Sequence, residues 1–244
     1  MVAKNDYIYW AGCAYRLKYP EVAKATEHTL KRAGLKFQTL GEKEGCCGAL
    51  LFLTGFEDEG RKNALKVIRK ISKKGCKSIV TDCAGCYRAF SRLFPSSLNR
   101  KVPFSVLHSS QLMDRLIQRK KLKLKELKLR VAYHDPCELG RHCGVYEEPR
   151  KVLKAIPGLE LVEAELNRAE ATCCGGGGGV WALYTDVAQE VTAEKLKNEI
   201  LPLKVDALVS TCPACYTNFC SNVNRNELPV KVYNLSQMVE LALR

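Results

Sequence analysis

Four stretches of this sequence occur twice, in the same order, and that duplication limits the possible fold more than any other feature. YIYWAGCAYRL (7–17) matches VAYHDPCELGR (131–141), and EGCCGAL (44–50) matches ATCCGGG (171–177). KSIVTDCAGCYRAF (77–90) matches DALVSTCPACYTNF (206–219), and FSVLHSSQLMDRLI (104–117) matches VKVYNLSQMVELAL (230–243). The offset stays between 124 and 129 positions. Two similar domains are expected, residues 1–120 and 130–244, joined by a linker over 121–129 whose strict Lys/Leu alternation suits a short strand.

Each half alternates strand and helix. In the first, strands are expected at Ile8–Trp10, Leu35–Leu40 and Ser78–Thr81, with helices over Pro20–Ala33 and Glu57–Lys74, each stopped by a glycine. A further helix starts within Cys83–Cys86. The second half repeats the pattern with strands Val131–Tyr133, Leu159–Val162 and Ala207–Ser210, and helices Pro149–Ala155 and Ala182–Ile200. The fold class is therefore α/β: two tandem, duplicated, Rossmann-like domains with parallel sheets covered by helices.

Cysteine is the unusual ingredient, with 13 in 244 residues. No apolar run reaches the length of a membrane span, and the first residues lack the apolar core of a signal peptide, so a cytoplasmic protein is expected. Many cysteines in a reducing compartment point to metal rather than disulfides, a hyperthermophilic source being the exception. The net charge of +13 invites a nucleic-acid reading. Its excess, however, lies in RKKLKLKELKLR (119–130) and on helix faces, with no aromatic-rich basic motif. A solvated basic face, or a dock for an acidic protein, is the better account, and no nucleic-acid partner is expected.

Ten cysteines fall into two matched sets: Cys13, Cys46, Cys47, Cys83 and Cys86, then Cys137, Cys173, Cys174, Cys212 and Cys215. Members of each set follow strands that point the same way, so their loops meet on the carboxyl rim of one sheet, where ligands of open α/β folds collect. Neighbouring cysteines seldom bond to each other, because a trans peptide holds their Cα atoms too close for ordinary disulfide geometry. Zinc takes four ligands and would strand one cysteine of each set; ordinary ferredoxin clusters also take four and use a motif absent here. A larger or distorted iron–sulfur cluster fits five thiolates better. The glycines of EGCCG and of the run Gly175–Gly179 let backbone wrap closely round such a group and turn N–H donors toward its sulfur.

The pattern C…CCG…CxxC, twice in one chain with 32 to 37 residues between blocks, resembles the cysteine-rich CCG domain of the B-type and D-type subunits of heterodisulfide reductase and related iron–sulfur oxidoreductases. YHDPCELGRHCGVYEEPRKVLKAIPGLELVE and TCCGGGGG are most similar to D-type subunits. The resemblance implies that each domain binds a non-cubane [4Fe-4S] cluster through its five cysteines, the ten together being the iron ligands. It implies a pseudo-twofold relation between the domains, with the two clusters facing each other where a small disulfide, a CoM-S-S-CoB-like heterodisulfide, is reduced. One cluster plus zinc is the alternative loading; both sets being complete favours two clusters. D-type subunits carry a ferredoxin-like segment ahead of the first CCG domain, whereas this sequence opens on that domain. Electrons are thus expected from a separate ferredoxin-like or flavoprotein subunit, or a membrane cytochrome, which would place the chain at the membrane periphery.

Two other functions compete: an electron-transfer subunit of a glycolate, lactate or glycerol-3-phosphate dehydrogenase type of complex, and a zinc-stapled binding module. His134 and His108 are candidate proton donors or second-layer groups, although His108 aligns with Asn234 and fits a loop-holding role equally well. Asp135-Pro136 reads as a turn, Arg141 and His142 as possible anion contacts, and Tyr87 and Tyr216 as packing residues. Cys76 and Cys220 read as small apolar residues, and Cys143 as either an extra ligand or a reactive thiol.

Overall fold

The computed structural model describes residues 7–244, which form two compact units divided between Leu122 and Lys123. Each unit is a four-stranded, wholly parallel sheet. In the first, β1 (Tyr7–Trp10), β2 (Phe37–Thr39), β3 (Ser78–Thr81) and β4 (Ser105–His108) lie in the order β2-β1-β3-β4. In the second, β5 (Leu129–Tyr133), β6 (Leu159–Val162), β7 (Ala207–Ser210) and β8 (Lys231–Asn234) lie in the order β6-β5-β7-β8. The registers correspond: Tyr9 lies beside Val80, and Tyr133 beside Val209.

The first strand of each unit is central and has neighbours reached in opposite directions. That makes the gap beyond β1 and β3, and beyond β5 and β7, a topological switch point, where loops diverge and leave room for a ligand. Ile8, Tyr9, Trp10, Ile79 and Val80 are all buried, as expected of parallel strands covered on both faces.

Helices α1 (Cys13–Leu17), α2 (Pro20–Arg32), α3 (Ala49–Leu53) and α4 (Glu57–Ser72) belong to the first unit, as do α5 (Ala84–Arg88), α6 (Phe94–Leu98) and α7 (Ser109–Gln118). The amphipathic spacing of α4 buries Ala64, Val67, Ile68 and Ile71. Its acidic first turn (Glu57, Asp58, Glu59) and basic last turn (Arg69, Lys70) complement the helix dipole. A π-helical turn over Ala89–Leu93 joins α5 to α6 and presents Phe90 to the core. The second unit carries α8 (Glu147–Lys154), α9 (Val180–Leu183), α10 (Thr185–Lys195), α11 (Pro213–Arg225) and α12 (Leu235–Ala242).

One sequence expectation needs correction. The single helix over Ala182–Ile200 is broken at Tyr184, whose backbone (φ −136°, ψ 61°) leaves the helical region between α9 and α10, and it ends in a π-helical turn over Leu196–Ile200. Within 121–129, Leu124 bridges Leu243 antiparallel, Lys125 N–H donates to Ala242 O, and Leu127 N–H donates to Pro157 O. Along this stretch Leu122 is buried and Leu124, Leu127 and Leu129 are half-buried, while Lys121, Lys123, Lys125 and Lys128 are exposed. Among the described residues no helix is long and apolar enough to cross a membrane.

Candidate metal centre

In the first unit, Cys13 follows β1, Cys46 and Cys47 follow β2, and Cys83 and Cys86 follow β3. The CxxC spacing has a local cause. Cys83 is the N-cap of α5 and its Sγ accepts from Cys86 N–H at 3.3 Å, so both thiols stand over the first helical turn. Cys13 Sγ donates to Cys46 Sγ at 3.6 Å, and sulfur contacts run on from Cys46 to Cys47, from Cys47 to Cys86 and from Cys86 to Cys83. All five sulfurs are therefore one group. Cys46 is exposed, Cys13 half-buried and the other three buried, so the group opens on one side.

The loops are shaped to it. Gly12 has φ +85°, and a Cβ there would lie 3.2 Å from both Cys83 Cβ and Cys86 Sγ. No side chain fits without displacing sulfur. Glu44, 2% exposed, reaches back from the CCG loop: its carboxylate accepts from Ala11 N–H at 3.0 Å and Gly12 N–H at 2.8 Å. Burial lifts its pKa to about 7 against the pull of those two donors. Asn63 of α4 donates to Cys46 O at 3.2 Å, and Lys70 to Glu44 O at 3.1 Å.

The second unit repeats the arrangement with other supports. Cys173, Cys174, Cys215 and Cys212 form a chain of sulfur contacts, and Cys137 acts electrostatically on Cys173 and is acted on by Cys212 and Cys174. Gly175 has φ +79°, donates its N–H to Cys173 Sγ at 3.3 Å, and has no room for a side chain, since a Cβ would lie 2.9 Å from Ala188 O. Of the glycine run, only Gly175 and Gly176 are packed closely; Gly177, Gly178 and Gly179 face open space. The Cys174 carbonyl accepts from Thr192 Oγ1 at 2.6 Å and Asn218 Nδ2 at 2.7 Å.

The thiols of each set perturb one another strongly. Acceptance from Cys13 and Cys47 lowers Cys46, while its partner Cys13 is held up by donating that bond. Cys47, Cys86 and Cys215 are pushed up mainly by hydrogen bonds to neighbouring sulfurs, with burial adding to the shift, and burial raises Cys137 to about 11. Five thiolates gathered in one partly buried group need positive charge between them, and iron supplies it. The donor set fits an iron–sulfur group on that chemistry, and no disulfide ties up any of the 13 cysteines.

His134 is brought to the site: a ring nitrogen lies with Cys174 Sγ and Cys215 Sγ, all within 4.8 Å of one another, and the ring meets Phe219 edge-on at 5.0 Å. His108 caps α7. Its Nδ1 accepts from Ser110 N–H at 3.2 Å, which leaves Nε2–H to donate to Asp82 O at 3.1 Å. Arg141 donates to Ala171 O at 2.6 Å and Ala169 O at 3.2 Å, so it fastens the second CCG loop. Tyr87 and Tyr216 are buried. Cys76 is buried, accepting from Gln38 Nε2 at 2.9 Å, and Cys143 and Cys220 are half-buried.

Sequence reasoning missed Glu44, Asn63, Thr192 and Asn218, which hold the CCG loops, and the ion cluster of Arg150. That guanidinium, 1% exposed, binds Asp135 through both Nη atoms (2.7 and 2.6 Å) and Glu163 through Nε and Nη2 (2.7 and 3.0 Å). The available signal was Glu44 directly ahead of Gly45-Cys46-Cys47, where the second copy has Ala171 ahead of Thr172-Cys173-Cys174.

Comparison with known proteins agrees with this geometry. The model of the cysteine-rich CCG domain matches residues 7–91 and 131–220. The chain is 37% identical over 244 residues to the D-type subunit of the dihydromethanophenazine:CoB–CoM heterodisulfide reductase of Methanosarcina barkeri, covering 98% of this chain and 59% of the relative. It is 33% identical to the B-type subunit of the fumarate reductase (CoM/CoB) of Methanothermobacter marburgensis (96% and 46% covered). It is 30% identical to EtfAB:quinone oxidoreductase of Syntrophomonas wolfei (98% and 34% covered). The chain thus spans less than two thirds of the length of each of these relatives. With both matched segments enclosing a complete set of five cysteines, the chain belongs to the cysteine-rich CCG-domain family, as a double-domain member of the heterodisulfide reductase B/D type.

Proposed function

We propose that the chain is the iron–sulfur subunit of a larger oxidoreductase, that each quintet binds one non-cubane [4Fe-4S] cluster, and that the chain reduces a disulfide. The observation that carries this reading is the convergence of five sulfurs, twice, when zinc or a ferredoxin cluster would use four. Similarity to the D-type heterodisulfide reductase polypeptide supports the substrate class.

When bound, the clusters supply one-electron steps and thiophilic iron. The chain does the rest. Cys47, Cys83 and Cys86, and Cys174, Cys212 and Cys215, are the buried thiolates, while Cys13, Cys46, Cys137 and Cys173 line the accessible side. Glu44 fixes the Cys13 turn, and Asn218 and Thr192 fix Cys174. His134 holds a ring nitrogen at Cys174 and Cys215, where it donates a hydrogen bond or passes a proton. The balance is R–S–S–R′ plus two electrons and two protons giving R–SH and R′–SH. A ferredoxin-like, flavoprotein or cytochrome partner delivers the electrons.

Protein purified without oxygen should be brown and contain about eight iron and eight sulfide per chain. It should reduce a coenzyme heterodisulfide with a reduced viologen dye. Colourless protein with stoichiometric zinc would sink the reading. A second reading, an electron-transfer subunit, is favoured by similarity to EtfAB:quinone oxidoreductase. Iron-loaded protein that passes electrons from a flavoprotein to a quinone, with no disulfide turnover, selects it.

A further inference from the structure

Trp10 ends β1 and His134 follows β5 at the matching place of the repeat. The correspondence extends to their surroundings. Trp10 meets Phe90 edge-on, with ring centroids 5.2 Å apart and planes at 85°. His134 meets Phe219 in the same way, at 5.0 Å and 83°. Phe90 lies four residues after Cys86, and Phe219 four after Cys215. Each ring therefore rests on the helix whose first turn carries the last cysteine of its set.

The two rings share a further property. Each carries a ring N–H or nitrogen deep in the unit. His134 uses its nitrogen beside Cys174 and Cys215, whose counterparts in the first unit are Cys47 and Cys86. Trp10 is fully buried, and its Nε1 has no hydrogen-bond partner among the described residues. A buried donor left unsatisfied is costly, and native proteins rarely keep one without a reason. An indole N–H has one direction in which to donate, and unlike imidazole it can never act as an acceptor.

We propose that Trp10 donates its indole N–H to sulfur of the cluster held by the first quintet, in the place that His134 takes in the second. This rests on the reading that each quintet binds an iron–sulfur cluster. Trp10 is then a positioning and tuning residue. An N–H···S bond is stronger to the more negative, reduced cluster, so it raises that cluster's reduction potential. The chain would carry a neutral, permanent donor at one cluster and a histidine at the other, setting the two apart in potential.

The test uses the full chain, loaded with iron without oxygen, and redox titration followed by electron paramagnetic resonance. Trp10→Phe keeps an aromatic ring against Phe90 and removes the N–H; one cluster should shift to lower potential while the other stays. Trp10→His, which installs the second unit's residue, should restore part of the shift. Wild-type-like potentials for both clusters in iron-loaded Trp10→Phe overturn the inference and leave the cluster reading standing. A chain that binds no iron overturns both. Should Trp10→Phe not fold, the Trp181→Phe chain grown with ¹⁵N-indole tryptophan decides instead. A ¹⁵N hyperfine coupling to the reduced cluster supports the inference, and its absence overturns it.

Discussion

The turn after β1 and the turn after β5 carry corresponding cysteines, Cys13 and Cys137, yet they are held by opposite means. After β1 the backbone of Ala11 and Gly12 is the donor, and the carboxylate comes from the other loop, on Glu44. After β5 those positions are Asp135 and Pro136, and Pro136 has no N–H to donate. There the turn itself supplies the carboxylate: Asp135 binds Arg150 and also accepts from Arg168 N–H at 2.8 Å. The position of Glu44 is taken by Ala171, whose carbonyl accepts from Arg141. The same exchange runs through the neighbours. Tyr9 donates to Asp82 beside Cys83, whereas Tyr133 shares a 3.1 Å hydrogen bond with Thr211 beside Cys212. His108 and Asn234 make the same cap with different chemistry. What the two units have in common is where sulfur stands. The supports differ freely, so the requirement the fold answers to is the convergence of five thiols.

That contrast can be broken at several points. The largest effect is expected from removing sulfur: Cys47→Ala with Cys86→Ala, or Cys174→Ala with Cys215→Ala, should each lower iron and sulfide from about eight to about four per chain. Full iron content in either double variant would show that the removed thiols are not iron ligands, and loss of nearly all iron would show that the halves do not load independently. Next comes Arg150→Met, which leaves the buried Asp135 without its cation and takes the guanidinium from the half-buried Glu163. A loss of about 3–5 kcal/mol is expected, seen by hydrogen exchange as opening of the second unit while the first stays protected. Glu44→Ala strips the acceptor from two backbone N–H groups and should cost the first unit about 1–3 kcal/mol in denaturant unfolding. The reciprocal Ala171→Glu should give no gain, because Pro136 offers it no donor. Smallest is the pair of caps: His108→Ala and Asn234→Ala should each cost about 1 kcal/mol. A much larger loss of disulfide turnover in His108→Ala alone, at unchanged iron content, would show a role in proton supply beyond capping.

Much of this was legible beforehand. Parallel strands announced themselves as short apolar runs, such as SIVT and ALVS, each followed by a CxxC at a helix start. The repeat then converted one weak reading into two that agree. The last strand of each sheet was harder to see. SVLH and KVYN are short and half exposed, and only their pairing with β3 and β7 makes them strands. The break at Tyr184 was hidden for a related reason. Nothing in ALYTDV forbids a helix, and the break lies just ahead of Ala188 and Val191 of α10, against which the Gly175 loop packs.

Side-chain partners across long separations lay beyond local pattern. Glu44 and Gly12 are joined over 32 residues, Asp135 and Arg150 over 15, and Cys174 and Asn218 over 44. Spacing along the chain reports what a residue does within a turn or two of helix or along one strand, and a duplicated spacing reports that both copies obey one geometry. It therefore settles where the ten thiols sit on their sheets and that five must meet. Which carboxylate, cation or amide holds each loop depends on distances set only when the strands are placed side by side. A single buried donor or acceptor has many chemically equivalent partners in the sequence, and packing alone selects among them.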